Sequence, residues 1–99
     1  MKYDLEERTF LFTKNVVLFI KQLPRSVSNI EFVKQVIRSS GSVGANYIEA
    51  NESLSKKDFL MRTRISRKEA KETSYCLRLI IETNDQKFQN IGMILIKES

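Results

Sequence analysis

The chain has 99 residues, 41% of them hydrophobic and 29% charged, so we expect one folded domain over residues 1–99. It has no histidine and one cysteine, which excludes a disulfide or a Cys-based zinc site within one chain and removes the commonest general base. We therefore expect a protein that is not an enzyme and uses no cofactor or metal. The early acids and the lack of a long apolar run argue against a signal peptide or a membrane span, which favours a cytoplasmic protein.

The first predicted helix runs from about Asp4 to Leu23 and stops at Pro24, because proline disfavours helical backbone in the preceding residue. Its apolar positions recur at steps of three and four, as on one face of a helix: Leu5, Thr9, Phe12, Val16, Phe19, Ile20 and Leu23. Two further apolar pairs lie outside that face. We predict that they form the interface of a homo-oligomer: Phe10 with Val17, and Leu11 with Leu18.

The second predicted helix begins near Ser28 or Asn29, either of which can cap it, and crosses the small-residue run RSSGSVGAN. Gly41 and Gly44 each cost about 1 kcal/mol relative to alanine in a helix, which leaves a break near Gly41 as an alternative. We interpret the run as helix, because the apolar stripe continues through it and small side chains let another helix approach closely. The predicted core stripe is Ile30, Val33, Ile37, Ser40, Gly44 and Ile48.

The third predicted helix follows a turn at Ser53 and Leu54, with Ser55 as its cap and Asp58 in the position that completes a capping box. Its core stripe also has a centre of small residues: Phe59, Ser66, Ala70, Thr73, Leu77 and Ile80. Two small-residue centres predict an antiparallel helix pair at short interaxial distance. On the core side of this helix, Arg62 and Glu69 are predicted to be partly buried and paired.

The fourth predicted helix follows Asn84 and Asp85 and has about three turns before the last residue, Ser99. Its predicted core residues are Phe88, Ile91, Ile94 and Leu95. The four segments together predict an all-α fold, an antiparallel up-and-down four-helix bundle with a short or truncated fourth helix.

The net charge of +5 is concentrated in the third helix. Residues 55–78 contain eight cations and three anions, whereas residues 1–54 and 79–99 carry net charges of +1 and −1. At 100° per residue, six of these cations and Tyr75 fall within an arc of about 100° opposite the apolar face. We call these six the basic stripe: Lys57, Arg64, Arg67, Lys68, Lys71 and Arg78. Such a stripe is typical of a surface that binds a nucleic-acid backbone, and a solvated outer face can show the same pattern.

Three segments resemble the bacterial four-helix bundle family named after the intervening sequences of 23S ribosomal RNA: RSSGSVGANYIEA at 38–50, SKKDF at 55–59 and ISRKEAKETSYCLRLI at 65–80. The accessory variability determinant of diversity-generating retroelements is similar too. The resemblance implies an antiparallel bundle, commonly a homopentamer, without known catalytic activity, whose fourth helix usually continues beyond the length found here. It implies structural or interface roles for Arg38, Ser42, Asn46, Glu49, Arg67 and Glu72.

Two functions stay open at this point. The first is a nucleic-acid-associated oligomeric scaffold that contacts RNA or DNA backbone, as the retroelement relatives associate with nucleic acid and a reverse transcriptase. The second is an oligomer that binds an acidic protein partner or a reverse transcriptase, without direct nucleic-acid binding.

Overall fold

The structure is a computed structural model that describes the backbone of residues 2–99 and the side chains of residues 4–99. Within this range the chain forms four α-helices: α1 (Lys2–Ile20), α2 (Val27–Asn51), α3 (Lys56–Thr83) and α4 (Gln89–Glu98). A single 3-10 turn at Gln86–Phe88 leads into α4. Each helix packs on the next along the chain, and α4 closes the bundle onto α1. The predicted all-α bundle with a short fourth helix is confirmed.

The helix ends are set by local hydrogen bonds. α1 ends at Ile20 rather than Leu23, since the amides of Gln22 and Leu23 form i→i−3 bonds that tighten the chain before Pro24. Ser26 caps α2, so the predicted caps Ser28 and Asn29 are wrong by two or three residues. The Ser26 hydroxyl accepts a hydrogen bond from the Asn29 amide at 3.1 Å.

The predicted cap of α3 is confirmed. The Ser55 hydroxyl accepts a hydrogen bond from the Asp58 amide at 3.1 Å, in extended backbone that suits a cap. The acidic Asp58 in the first turn adds a favourable interaction with the helix dipole. The longest helix of the described chain is therefore anchored at its start by local sequence alone.

The small-residue run of α2 is helical, as predicted, and packs against the small-residue centre of α3. The hydroxyls of Ser39 and Thr73, both fully buried, are hydrogen-bonded at 2.8 Å. Ser66 of α3 donates a hydrogen bond to the carbonyl of Val43 at 2.8 Å. A side chain from one helix reaches the backbone of the other only when the two axes are close, so the predicted close antiparallel pair is confirmed.

The predicted core stripe of α2 is partly wrong, because the buried face is rotated by about one residue. Ile30, Ile37 and Ile48 are 37%, 43% and 46% exposed. Ser40 of the predicted stripe is buried, and the other buried residues of α2 are Asn29, Val36, Ser39, Val43 and Ala50. The hydrophobic pattern selects the isoleucines, but the short distance to α3 admits only small side chains at the centre of the interface.

The two glycines of α2 do not serve the approach of α3. A Cβ added at Gly44 would lie 3.2 Å from the Thr9 hydroxyl, so this glycine faces α1. Gly41 is exposed, and a Cβ there would meet nothing within 4 Å. The α2–α3 interface therefore depends on serine and threonine, whereas glycine matters where α1 crosses α2.

The hydrophobic core lies mainly between α1, α3 and α4, and α2 contributes Val36 to it. The rings of Phe19 and Phe88 pack edge to face, with centroids 6.4 Å apart and an interplanar angle of 82°. The other core residues are Phe12, Val16, Ile20, Val36, Cys76, Leu77, Ile80, Ile81 and Leu95. No helix within residues 2–99 combines the length and the apolar character needed to cross a bilayer.

Three residues predicted for the core lie largely outside it: Phe59, Ile91 and Ile94 are 41%, 42% and 61% exposed. Leu5, on the predicted apolar face of α1, is 41% exposed. In α4 the buried line is Phe88, Gly92 and Leu95, spaced by four and three, which leaves the isoleucines on the flank. Gly92 is required there, since a Cβ would overlap the side chain of Ile81 on α3. Backbone proximity, which hydrophobicity does not encode, decides which face α4 buries.

Candidate nucleic-acid interface

The basic stripe lies along the solvent face of α3, and all six of its side chains are exposed. α3 buries the opposite face, which carries Ser66, Thr73, Leu77 and Ile80. At 1.5 Å per residue, the 21 steps from Lys57 to Arg78 extend over about 32 Å. The stripe is therefore continuous along most of the helix, as the residue spacing predicts.

The charges of the basic stripe are not neutralised by neighbouring carboxylates. Among the side chains of residues 4–99, the ion pairs within 4.0 Å are Lys34 with Glu31 and Arg38 with both Glu69 and Glu72. None of them involves a residue of the basic stripe. The surface therefore presents six exposed cations without an ion-pair partner within 4.0 Å among the described side chains.

The carboxylates on the inner side of α3 are bound by Arg38 of α2. Its two guanidinium nitrogens each lie 3.3 Å from an oxygen of Glu69, which is 6% exposed, and one also contacts Glu72 at 2.8 Å. The predicted pair of Arg62 with Glu69 is wrong, and Arg62 instead donates to Asn46 at 3.2 Å. Residues seven apart on one helix are about 10 Å apart, whereas α2 brings Arg38 directly to Glu69.

Within this cluster the pKa values of Arg38 and Glu72 are shifted so that each group favours its charged form. Hydrogen bonds to Glu69 and then to Glu72 raise the pKa of Arg38. Hydrogen bonding to Glu69 and then to Arg38 lowers the pKa of Glu72, and Lys68 adds a smaller electrostatic effect. The cluster therefore links α2 to α3 through the ion pairs of Arg38.

The residues for which the family resemblance implies structural or interface roles fall into two groups in the structure. Asn46 donates to the carbonyl and hydroxyl of Ser42, both at 2.9 Å, and accepts from Arg62, which connects α2 to α3. Glu49 receives the Ser53 hydroxyl on its backbone carbonyl at 3.0 Å, near the end of α2. Arg67, by contrast, is an exposed member of the basic stripe.

A groove of about 630 Å³ runs between α2 and α3 beside the basic stripe. It is lined by Glu31, Phe32, Gln35, Lys68, Lys71, Glu72, Tyr75, Cys76 and Leu79. Tyr75 is 68% exposed, whereas the Cys76 thiol is buried, lies 3.6 Å from the Phe32 carbonyl oxygen, and has its pKa raised by that burial. The residue pattern of α3 singles out Tyr75 but not the groove, because the second wall comes from α2.

A second surface feature consists of apolar residues of α1 that the bundle leaves uncovered. Phe10, Leu11 and Leu18 are 62%, 43% and 49% exposed, and Val17 is half-buried. Leu18 shares a shallow concavity with Ile91 and Ile94 of α4, while Leu11 shares another with Ile94. We call Leu11, Leu18, Ile91 and Ile94 the α1–α4 apolar face. The sequence does not indicate the contribution of α4, because the spacing of Ile91 and Ile94 predicts core positions.

The interior polar side chains of residues 4–99 are engaged in structural hydrogen bonds. Within residues 4–99, no three histidine, cysteine, aspartate or glutamate side chains converge as metal ligands would. In the same part of the chain, every buried side-chain nitrogen and oxygen has a hydrogen-bond partner. The hydrogen-bonding capacity of the buried side chains in this range is therefore used within the fold.

The architecture and the surface together define a class: a small antiparallel four-helix bundle whose longest helix carries an unpaired row of cations. The chain belongs to the 23S rRNA-intervening sequence protein family, which it matches over residues 1–92. It is similar to the crystal structure of a protein of unknown function from the S23 ribosomal protein family of Bacteroides thetaiotaomicron VPI-5482. That similarity has a TM-score of 0.76 and 30% sequence identity, covering 99% of this chain and 94% of that one. None of the curated proteins matches the sequence.

Proposed function

We propose that this protein is a non-enzymatic, oligomeric scaffold that binds the phosphate backbone of RNA or DNA through the basic stripe. The observation that carries the proposal is the row of six exposed cations, none of which has a carboxylate within 4.0 Å among the side chains of residues 4–99. A surface with free cations binds polyanions by releasing their condensed counterions, which requires no pocket and no base reading.

The shape of the stripe supports backbone contact rather than sequence recognition. Its length of about 32 Å allows contacts with several successive phosphates of one strand. Lysine and arginine contacts to phosphates set the position of a protein on nucleic acid but carry no sequence information. We therefore expect affinity that depends strongly on salt and weakly on sequence.

The uncovered apolar residues support the oligomeric part of the proposal. Large exposed apolar patches on a small protein commonly mark interaction sites, and here they include the α1–α4 apolar face and Phe10. Assembly would place one basic stripe on each subunit, and several weak sites acting together bind more tightly than one. A pentamer is the stoichiometry that we propose on the strength of the family resemblance.

Filter binding with RNA and with DNA at two salt concentrations tests the nucleic-acid part. Charge reversal of Arg64, Lys68 and Lys71 to glutamate should abolish retention at low salt. The matched control reverses three exposed cations outside the stripe, Lys14, Lys21 and Arg25, with the same change in net charge. Equal losses in the two triple variants would mean that overall charge, not the stripe, is responsible, and no retention of the native protein would refute nucleic-acid binding.

Capture from cell lysate with and without nuclease separates the main alternative, an acidic protein partner such as a reverse transcriptase. A partner that disappears after nuclease treatment was bridged by nucleic acid, as proposed. A partner that persists and depends on the same three cations would favour direct protein binding by the basic stripe instead.

A further inference from the structure

We infer that the groove between α2 and α3 receives an unpaired nucleobase, with Tyr75 as the stacking surface and Lys68 and Lys71 contacting the adjacent phosphates. The protein would then prefer single-stranded nucleic acid to a duplex. This inference rests on the proposed function and specifies the class of nucleic acid that the basic stripe binds.

Tyr75 occupies the position that such a role requires. It lies within the arc of the basic stripe, one turn after Lys71 and three residues before Arg78, so its ring has a cation on either side. The side chain is 68% exposed, so its ring is accessible to a ligand. An exposed aromatic ring between cations offers both stacking and phosphate contacts to one strand.

The groove beside Tyr75 has an apolar floor formed by Phe32, Cys76 and Leu79. Its volume of about 630 Å³ is within the roughly 300–1,000 Å³ of typical sites for small organic ligands, so a base can enter it. A base inside a duplex is stacked and paired, and must be unstacked before a protein can enclose it. An unpaired base in a single strand can turn outward and stack on an aromatic ring at much lower cost.

The charges around the groove favour a strand that runs along α3. Each carboxylate on the groove walls forms an ion pair: Glu31 lies 3.7 Å from Lys34, and Glu72 lies 2.8 Å from Arg38. Lys68 and Lys71 have no carboxylate within 4.0 Å among residues 4–99. Cations of the stripe continue along α3 from the groove toward Lys57, which suits a polyanion and would serve no purpose for a compact neutral ligand.

Fluorescence anisotropy with a labelled single-stranded RNA and with the corresponding duplex tests the inference. Tyr75→Ala should weaken binding of the single strand by roughly 5- to 150-fold, which is the effect of losing one base–aromatic stack, and should leave duplex binding unchanged. Tyr75→Phe keeps the ring and should bind like the native protein. Phe59→Ala removes an aromatic ring from the same helix outside the stripe and serves as the matched control.

A direct signal for stacking comes from the absence of tryptophan in the chain. In the Tyr75→Trp variant the single indole reports on this position alone, and its fluorescence should be quenched by the single strand but not by the duplex. The salt dependence of binding should be the same in Tyr75→Ala as in the native protein, because stacking releases no counterions.

The outcomes separate this inference from the proposed function. Native protein that binds neither RNA nor DNA refutes both. Native protein that binds strand and duplex equally, with Tyr75→Ala indistinguishable from it and helical by circular dichroism, overturns the groove alone and leaves backbone binding intact.

Discussion

Asn29 and Asn84 exchange two hydrogen bonds, from each side-chain amide nitrogen to the other's oxygen, at 2.8 and 2.9 Å. Asn29, 4% exposed at the start of α2, also donates to the carbonyl of Pro24, and Asn84 donates from the end of α3 to the carbonyl of Ile80. One amide pair therefore joins three chain segments at the end of the bundle where α1 turns into α2.

Removing one member of this pair should destabilise the fold. We expect Asn84→Ala to lower the free energy of unfolding by about 1–3 kcal/mol, because the buried Asn29 amide loses a partner. Urea unfolding followed by circular dichroism measures the change. Asn90→Ala, at an exposed asparagine of α4, should stay within about 0.5 kcal/mol of the native protein. Equal stability of the two variants would contradict the structural role of the pair.

Substitution of two glycines should have opposite effects. Gly92→Ala should destabilise by about 1–3 kcal/mol, since the new Cβ overlaps Ile81 and must push α4 away from α3. Gly41→Ala meets nothing within 4 Å and should stabilise by about 0.5–1 kcal/mol through higher helix propensity. Thermal melts of both variants report the sign of each effect. A destabilised Gly41→Ala would show that α2 is covered at that position.

The lowered pKa of Glu72 predicts that the folded protein loses stability in acid. This pKa is lowered from the ordinary value of 4.5 by hydrogen bonding to Glu69 and Arg38, so the folded chain binds this proton less tightly than the unfolded chain. The stabilisation is therefore present above the unfolded pKa and is lost as the pH falls through the folded pKa.

Glu72→Gln should be less stable than the native protein at neutral pH, with the difference vanishing in acid. Urea midpoints across a pH series provide the measurement. Glu82→Gln, at an exposed glutamate outside the ion pairs of residues 4–99, should follow the native curve at every pH. A Glu72→Gln deficit that persists unchanged at low pH would rule out the ionised carboxylate as its source.

If the exposed apolar residues of α1 form a subunit interface, a charged substitution there should weaken the homo-oligomer. Phe10→Asp and Leu18→Asp should each yield smaller species in size-exclusion chromatography with light scattering, because an aspartate would be buried at a subunit interface without a partner. Leu54→Asp is the control, since Leu54 is fully exposed in the turn before α3. Unchanged mass in all three variants would argue that these surfaces do not mediate assembly.

Helix existence and the basic stripe follow from local chemistry. Ser55 and Asp58 define the start of α3 through one cap, and the stripe depends only on helical periodicity, since cations opposite an apolar face must reach solvent. The faces of α2 and α4 could not be obtained in this way. Ile37 and Ile94 are apolar at helical spacing, yet both are exposed, because a hydrophobic pattern says nothing about how near the neighbouring backbone lies.

The sequence by itself determined four helices, a single dominant row of positive charge and the close pairing of two small-residue segments. Only the tertiary structure decided that Ser39 and Thr73 meet in that pairing, that Arg38 rather than Arg62 binds Glu69, and that Tyr75 borders a groove. The physical reason is separation along the chain. Helix caps and hydrophobic periodicity involve residues a few positions apart. The contacts named above join residues more than thirty positions apart, and they form only when the helices are rotated and packed correctly.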